Sequence, residues 1–435
     1  MMVSLINRFF SAPALPAKVL PPSTFLKPGH SLAQYCVFQA LKKIQVGELS
    51  LSIDHKHYCF GTPDAALPCV KVRIHRASAF SKILTRGSIG VAESYIDGDW
   101  STDQLTELCQ LFLKNLDALQ ALNHSLSWAA KKWQQLQHFG NRNTHRGSKD
   151  NIAAHYDLSN DLFQTFLDAT MMYSSGVFHS PNDTLHKASV QKLDRVCEWL
   201  ELNSDHHVLE IGTGWGSMAI HAAKTTGCKV TTTTISQEQY EHAKERVKQE
   251  GLEGQVTVLL KDYRDLSGQY DKLISIEMME AVGQQFLPGF FQQCQRLLKP
   301  GGDAFIQCIT IAEHRAAFYQ NNVDFIQTHI FPGGYLPSNQ QIYDLQKQET
   351  SWALSKVSDV GLDYAKTLAF WHQNFIREDS KITELGFDQA FKNMWRYYLN
   401  YCEAGFREQQ THCMQFLFTS QDQLTSKNLL TSQNS

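Results

Sequence analysis

Nowhere in the 435 residues does an apolar run reach the ~18 residues that a membrane-spanning helix requires. The N-terminal stretch MMVSLINRFFSAPALPAKVLPPST is apolar in places, yet Arg8 and then several prolines interrupt it, which argues against a secretory signal. Ten cysteines lie between Cys36 and Cys413 with no C-x-x-C pair and no framework spacing, so they read as reduced, mostly buried thiols of a cytoplasmic protein. The eighteen histidines include no H-x-x-x-H or H-E-x-x-H pair, the pattern that puts two imidazoles on one helical face, and no metal site is expected. Charge of one sign is also scarce: a net −3 gives no footprint for nucleic acid as a partner. There is no internal repeat, and the only low-complexity tract is polar and follows Thr419.

What is present divides the chain. Its length exceeds that of one typical domain and suffices for two cores. Up to Gly90 there are eleven Lys and Arg against three acids, Glu48, Asp54 and Asp64. That local excess could face anionic lipid headgroups or could be ordinary solvated surface. From Leu32 to Asp99 the short β-like runs GELSLSI and CVKVRIH alternate with turn residues and end in SYIDGDW, the pattern of a small α+β domain. TDQLTELCQLFLKNLDALQ then has helical periodicity, with Ser101 or Thr102 as N-cap. The polar, basic HFGNRNTHRGSKD reads as a linker. The expected division is an extension over 1–30, an N-terminal α+β domain over 31–130, a linker over 131–150, a second domain over 151–410 and a polar tail over 411–435.

The second domain is organised around VLEIGTGWGSMAIHAAKTTGCKVTTT, Val208 to Thr233. A short apolar run meets Gly212, Gly214 and Gly216, passes into a helix-forming segment and returns as a β-branched run, which is a βαβ unit with a ligand-approaching turn. The spacing G-x-G-x-G is not the G-x-G-x-x-G of a dinucleotide site, and Glu210 stands two residues before the first glycine. An acid there repels a phosphate and suits a cationic amino group, such as that of S-adenosylmethionine. Upstream, Leu162, Phe163, Phe166 and Leu167 recur at helical spacing, flanked by Tyr156 and Tyr173, and this segment is expected to pack on the core or to close over the cofactor.

HYDLSNDLF, DATMMYSSGVF, LEIGTGWG, TISQEQ, SIEMMEAVG, LLKPGG, HIFPGGYLP and MWRYYLNYCEAGFRE occur in an order that resembles the cyclopropane-fatty-acyl-phospholipid synthase family, which includes the mycolic acid cyclopropane synthases. The resemblance runs from about residue 47 to residue 407. It implies an α/β, class I methyltransferase (Rossmann-like) fold with a mostly parallel seven-stranded sheet, beside the smaller α+β domain. It also implies transfer of a methyl(ene) group from S-adenosylmethionine to the cis double bond of unsaturated phospholipid acyl chains, giving cyclopropane fatty acids at the inner face of the membrane, with peripheral contact. Two rival readings are a relative that gives a methylene or methyl-branched product and a non-catalytic lipid- or cofactor-binding module. Oligomeric state is not fixed by the pattern, and a homodimer stays open.

By position, the resemblance assigns Gly212 and Gly214 to the methionine moiety, Tyr156 and Tyr173 to closure over it, Gln239 to a ribose or adenine contact, and Asp262 and Tyr263 to the adenine. Glu210 and Gly216 complete the motif, and Thr234 stands where most such folds carry an acid. Alkene methylation needs a base to take a proton from the new methyl group, and the resemblance implies a bound bicarbonate held by a cysteine, a glutamate, a histidine, an isoleucine and a tyrosine. Glu280, Ile309 and Tyr364 match; Ser175 replaces the cysteine and Gln307 the histidine. Trp395, Tyr397, Tyr398 and Tyr401 form an aromatic cluster expected in the core or along an acyl channel.

Overall fold

The computed structural model describes residues 32–65, 67–116 and 159–421; the extension, the linker and Tyr156 lie outside the described residues. The N-terminal part builds a four-stranded sheet in the order β2-β1-β3-β4 from β1 (Gly47–Ile53), β2 (Lys56–Thr62), β3 (Val70–Ile74) and β4 (Trp100–Ser101). In β3 the alternation of buried Val70, Val72 and Ile74 with exposed Lys71 and Arg73 turns one face to a core and one to water. Ser101 belongs to β4, so the following helix starts later than expected, at Leu105. Thr102 is not its N-cap: the Thr102 hydroxyl donates to Lys71 O at 2.7 Å and accepts from the Gln104 N–H, fixing the turn before the helix.

The second sheet has seven strands in the order β10-β11-β9-β8-β5-β6-β7. They are β5 (His207–Ile211), β6 (Lys229–Thr234), β7 (Val256–Leu260), β8 (Tyr270–Ile276), β9 (Leu298–Ile311), β10 (Trp352–Asp359) and β11 (Thr411–Ser420). Every pairing is parallel except the two made by β11, which runs antiparallel to β9 and β10. Side chains of period two send neighbouring residues to opposite faces. Leu209, Leu273 and Ile306 join a core under helices Leu287–Leu297 and Asn339–Glu349. Val208, Ile274 and Phe305 join another under helices Leu185–Trp199 and Ser217–Thr226. Both faces of the central strands being covered, β5 is buried at four consecutive positions, Val208 to Ile211.

β11 corrects the expected polar tail over 411–435: THCMQFLFTS is a strand with seven consecutive buried residues, Cys413 to Thr419. The break in polarity comes after Thr419, so the second domain runs on past residue 410 and past the preceding helix, Gln389–Arg407. That helix joins the two parts of the molecule. Thr106 donates to Asn400 Oδ1 at 2.7 Å, Asn393 donates to Ile96 O at 3.1 Å, and the rings of Tyr95 and Tyr397 lie 5.8 Å apart.

Candidate active site

Two cavities meet at the carboxyl ends of β5, β6 and β8, where an open parallel sheet leaves room for a ligand. The smaller, about 150 Å³, is lined by Glu210, Gly212, Gly214, Thr234 and Gln239 on one side and by Asp262, Tyr263 and Tyr173 on another. The three glycines have φ of +99°, +52° and +87°. At Gly214 an added Cβ would meet no protein atom within 4 Å, so this glycine leaves space that a ligand can use. Gly216 lies behind the cavity wall: it caps helix Ser217–Thr226, and a Cβ there would come within 3.3 Å of Ala243. Thr234 donates to Gln239 Oε1 at 2.8 Å, which fixes that amide at the rim. Asp262 accepts from the Arg264 guanidinium at 2.6 Å.

Glu210 is buried and accepts from the Thr232 hydroxyl. Burial pushes its carboxyl up to about 8, against the pull of that hydroxyl and of Lys192. A cationic amino group beside it would favour the charged form, the chemistry expected of a site for S-adenosylmethionine. Lys192, from the helix Leu185–Trp199, is fully buried and donates to Ser174 Oγ at 2.7 Å. Burial lowers its ammonium to about 8, while Glu277, Cys413 and Glu210 favour the charged form.

The larger cavity, about 370 Å³, is mostly apolar and lies between the N-terminal helices and the second domain. Ile89 and Phe112 line it from one side, and Phe331, Tyr397 and Tyr401 from the other. Tyr398 is also in its wall and shares a 2.8 Å hydrogen bond with Tyr173. Tyr173, Glu277 and Ala281 border both cavities.

At that junction the five residues expected to hold a bicarbonate do not converge on one empty space. Three of them point at Glu277, the residue that follows β8. Its Oε1 accepts from the Ser175 N–H at 3.1 Å and from Gln307 Nε2 at 2.8 Å, and its Oε2 accepts from the Tyr364 hydroxyl at 2.6 Å. The Ser175 hydroxyl turns away to Gly176 O. Gln307 is oriented in turn by Gln415, whose amide donates to Gln307 Oε1 at 3.0 Å. Tyr364, on helix Gly361–Arg377, stacks on Phe406 with ring centroids 4.6 Å apart. The other two residues form a separate pair: the Ile309 N–H donates to Glu280 Oε1, and Glu280 Oε2 is buried with no partner among the described residues. Burial, with Glu277 beside it, pushes the Glu280 carboxyl up to about 8. Burial also raises Glu277, but Tyr364, Lys192, Ser175 and Gln307 all favour its ionised form. Glu277 thus has four partners that offset its burial, whereas Glu280 has, besides its own backbone, one, the Ile309 N–H.

Sequence reasoning passed over Glu277 and Lys192. Glu277 stands in the quoted SIEMMEAVG, and its position just after a run of strand-forming residues was a usable signal, because ligands gather at the carboxyl ends of parallel strands. Its φ of +50°, uncommon for a residue with a side chain, marks strain of the kind that concentrates at functional sites. Lys192 gave no signal, being one basic residue within an amphipathic helix.

Residues 143–416 match the family described as mycolic acid cyclopropane synthetase. The tuberculostearic acid methyltransferase of Mycobacterium tuberculosis is 40% identical over 342 residues, covering 77% of this chain and 79% of that protein. The cyclopropane-fatty-acyl-phospholipid synthase of Escherichia coli K12 is 36% identical over 353 residues, covering 80% and 87%. Among solved structures, a mycolic acid cyclopropane synthase complexed with SAH and CTAB superposes with a TM-score of 0.59 at 28% identity, covering 62% of this chain and 98% of that one. With a mostly parallel seven-stranded sheet, a glycine-lined pocket at its carboxyl edge and these relatives, the chain belongs to the mycolic acid cyclopropane synthetase family of S-adenosylmethionine-dependent methyltransferases.

Proposed function

We propose that the protein methylates the cis double bond of unsaturated acyl chains carried by membrane phospholipids and that its principal product is a cyclopropane fatty acid. The observation that carries this reading is the shared border of the two cavities at Tyr173, Glu277 and Ala281, since a methyl group must pass from a polar cofactor pocket to an apolar one there. An isolated alkene is a weak nucleophile that no side chain can activate by removing a proton. The protein's contribution is therefore to exclude water, align the reactants and stabilise positive charge as it develops.

S-adenosylmethionine, when bound, supplies an electrophilic methyl on a sulfonium. Glu210 would take its amino group, the Gly212–Gly214 turn would let its backbone approach, and Thr234 and Gln239 would face its ribose. Phe331, Tyr397 and Tyr401 would line the acyl chain and offer aromatic faces to a cation. With no helix among the described residues long and apolar enough to cross a membrane, substrate would be drawn from a lipid surface by peripheral contact.

A second reading has its own support: the relative at 40% identity is a methyltransferase of tuberculostearic acid, so a methylene or methyl-branched product is a real rival to the ring. Incubation with S-adenosylmethionine and vesicles of mono-unsaturated phospholipid, followed by mass spectrometry and chromatography of the released acyl chains, separates the two. An absence of cofactor consumption on every unsaturated lipid would refute both.

A further inference from the structure

We infer that Glu277 is the built-in proton acceptor of the reaction, its side-chain carboxylate standing where relatives are expected to hold a bound bicarbonate. This rests on the reading above as a lipid C-methyltransferase. It goes beyond that reading by naming the base and by removing a soluble anion from the chemistry.

The geometry is specific. A bicarbonate in this position would need the Ser175 N–H, the Gln307 amide and the Tyr364 hydroxyl, and all three donors already terminate on Glu277. A carboxylate offers about four lone-pair sites. Ser175, Gln307 and, at 3.9 Å, the Cys413 thiol all fall on Oε1, and Tyr364 occupies one site on Oε2, which leaves one site on Oε2 uncommitted among the described residues. Glu277 alone of the two acids borders both cavities; Glu280 borders only the apolar one and is tied to the Ile309 N–H. The strained backbone at Glu277 is held by a 2.8 Å hydrogen bond from its own N–H to Gln307 O, so the residue that orients the carboxylate also holds the main chain.

The step balances without any further reactant. The alkene π pair makes the bond to the methyl carbon as the S–CH3 bond breaks, and that bond's electrons stay on sulfur. A proton then leaves the new methyl for Glu277 Oε2. The C–H pair left behind closes the three-membered ring on the cationic carbon, or, after a 1,2-hydride shift, becomes the double bond of a methylene. A sulfonium and a carboxylate enter; a neutral thioether, a neutral hydrocarbon chain and a carboxylic acid leave. Tyr364, Gln307 and Ser175 are positioning residues, since they act through Glu277.

The test compares the full-length parent, Glu277→Gln and Glu277→Gly on mono-unsaturated phospholipid vesicles at saturating S-adenosylmethionine, in degassed buffer with and without millimolar bicarbonate. Melting temperatures confirm that each variant folds, and glycine suits the positive φ at this position. The parent is expected to turn over equally in both buffers. Glu277→Gln is expected to lose about 10²–10⁴-fold, the range of a general base, without recovery. Glu277→Gly frees the three donors and is expected to regain turnover only when bicarbonate is added. Loss of parental turnover in bicarbonate-free buffer, or a Glu277→Gln variant within about tenfold of the parent, would overturn the assignment while leaving the methyltransferase reading intact. A parent that never consumes the cofactor on unsaturated lipid would overturn the function and this role with it.

Discussion

Replacing Glu280 by glutamine should change how the stability of the free protein depends on pH. In the folded state burial of the carboxyl, with Glu277 beside it, pushes it up to about 8 from an ordinary 4.5. A group whose folded pKa is raised contributes stability that is complete below the unfolded value and is lost as pH rises through the folded one. Between pH 4.5 and 8 the folded chain thus binds a proton that the unfolded chain has released, at about 1.4 kcal/mol per pH unit. From pH 5.5 to 7.5 Glu280 should account for about 3 kcal/mol of destabilisation, which at roughly 2 °C per kcal/mol is about 6 °C in melting temperature. Glutamine keeps the volume and an acceptor for the Ile309 N–H but carries no titrating proton. Glu210, also raised to about 8, titrates in the same window in both proteins and cancels in the comparison. Thermal scans at half-unit steps from pH 5 to 8.5, without ligand, should show the parent curve falling progressively below that of the variant as pH rises. Curves that stay parallel would mean that Glu280 is not the protonated member of the pair.

Three further outcomes are expected. Near pH 7, binding of S-adenosylmethionine should release close to one proton from Glu210, read by calorimetry in buffers of different ionisation enthalpy, and Glu210→Gln should abolish the release. Gly214→Ala should weaken cofactor binding well beyond tenfold while lowering stability by only about 1–2 kcal/mol, since the new Cβ meets no protein atom but must sit at φ +52°; calorimetry and thermal unfolding separate the two effects. Binding to anionic vesicles should weaken as salt rises from ~10 to ~500 mM and the Debye length falls from about 30 to 4 Å, with Lys42, Lys43, Lys56, Lys71 and Arg73 as exposed basic residues that make no ion pair among the described residues; unchanged co-sedimentation would leave them as ordinary surface.

That list is shorter than the basic excess in the sequence suggested, because charge counts say nothing of partners. Lys82 pairs with Asp97 and Asp99, Arg76 with Asp99 and Arg86 with Glu93, acids that lie just beyond the counted stretch. The glycine turn was legible because glycine spacing and a neighbouring acid carry chemistry by themselves, and Glu210, Gly212 and Gly214 do share one pocket with Gln239, Asp262 and Tyr263. The reactive acids were legible only in part. SIEMMEAVG holds two glutamates three residues apart, and which of them meets Ser175, Gln307 and Tyr364 depends on a left-handed backbone at Glu277 and on contacts spanning about 190 residues of chain. No local pattern encodes either. The strand at 411–420 was missed because a covered strand has no alternation to reveal it, and the polar residues after Thr419 drew it into the expected tail.

The position of that strand bears on how the molecule comes to exist. β11 separates β9 from β10, so β10 has no neighbour in the sheet until residues 411–420 arrive. It also brings Gln415 to Gln307 and Cys413 Sγ to within 3.9 Å of Glu277. A chain emerging from the ribosome can pair β5 to β9 early, but it holds an unfinished acid chamber until residues 411–420 have been translated. Chemical competence is thereby tied to the arrival of this strand: a nascent fragment ending before Thr411 could have the cofactor loop and still lack the packed floor beneath its carboxylates.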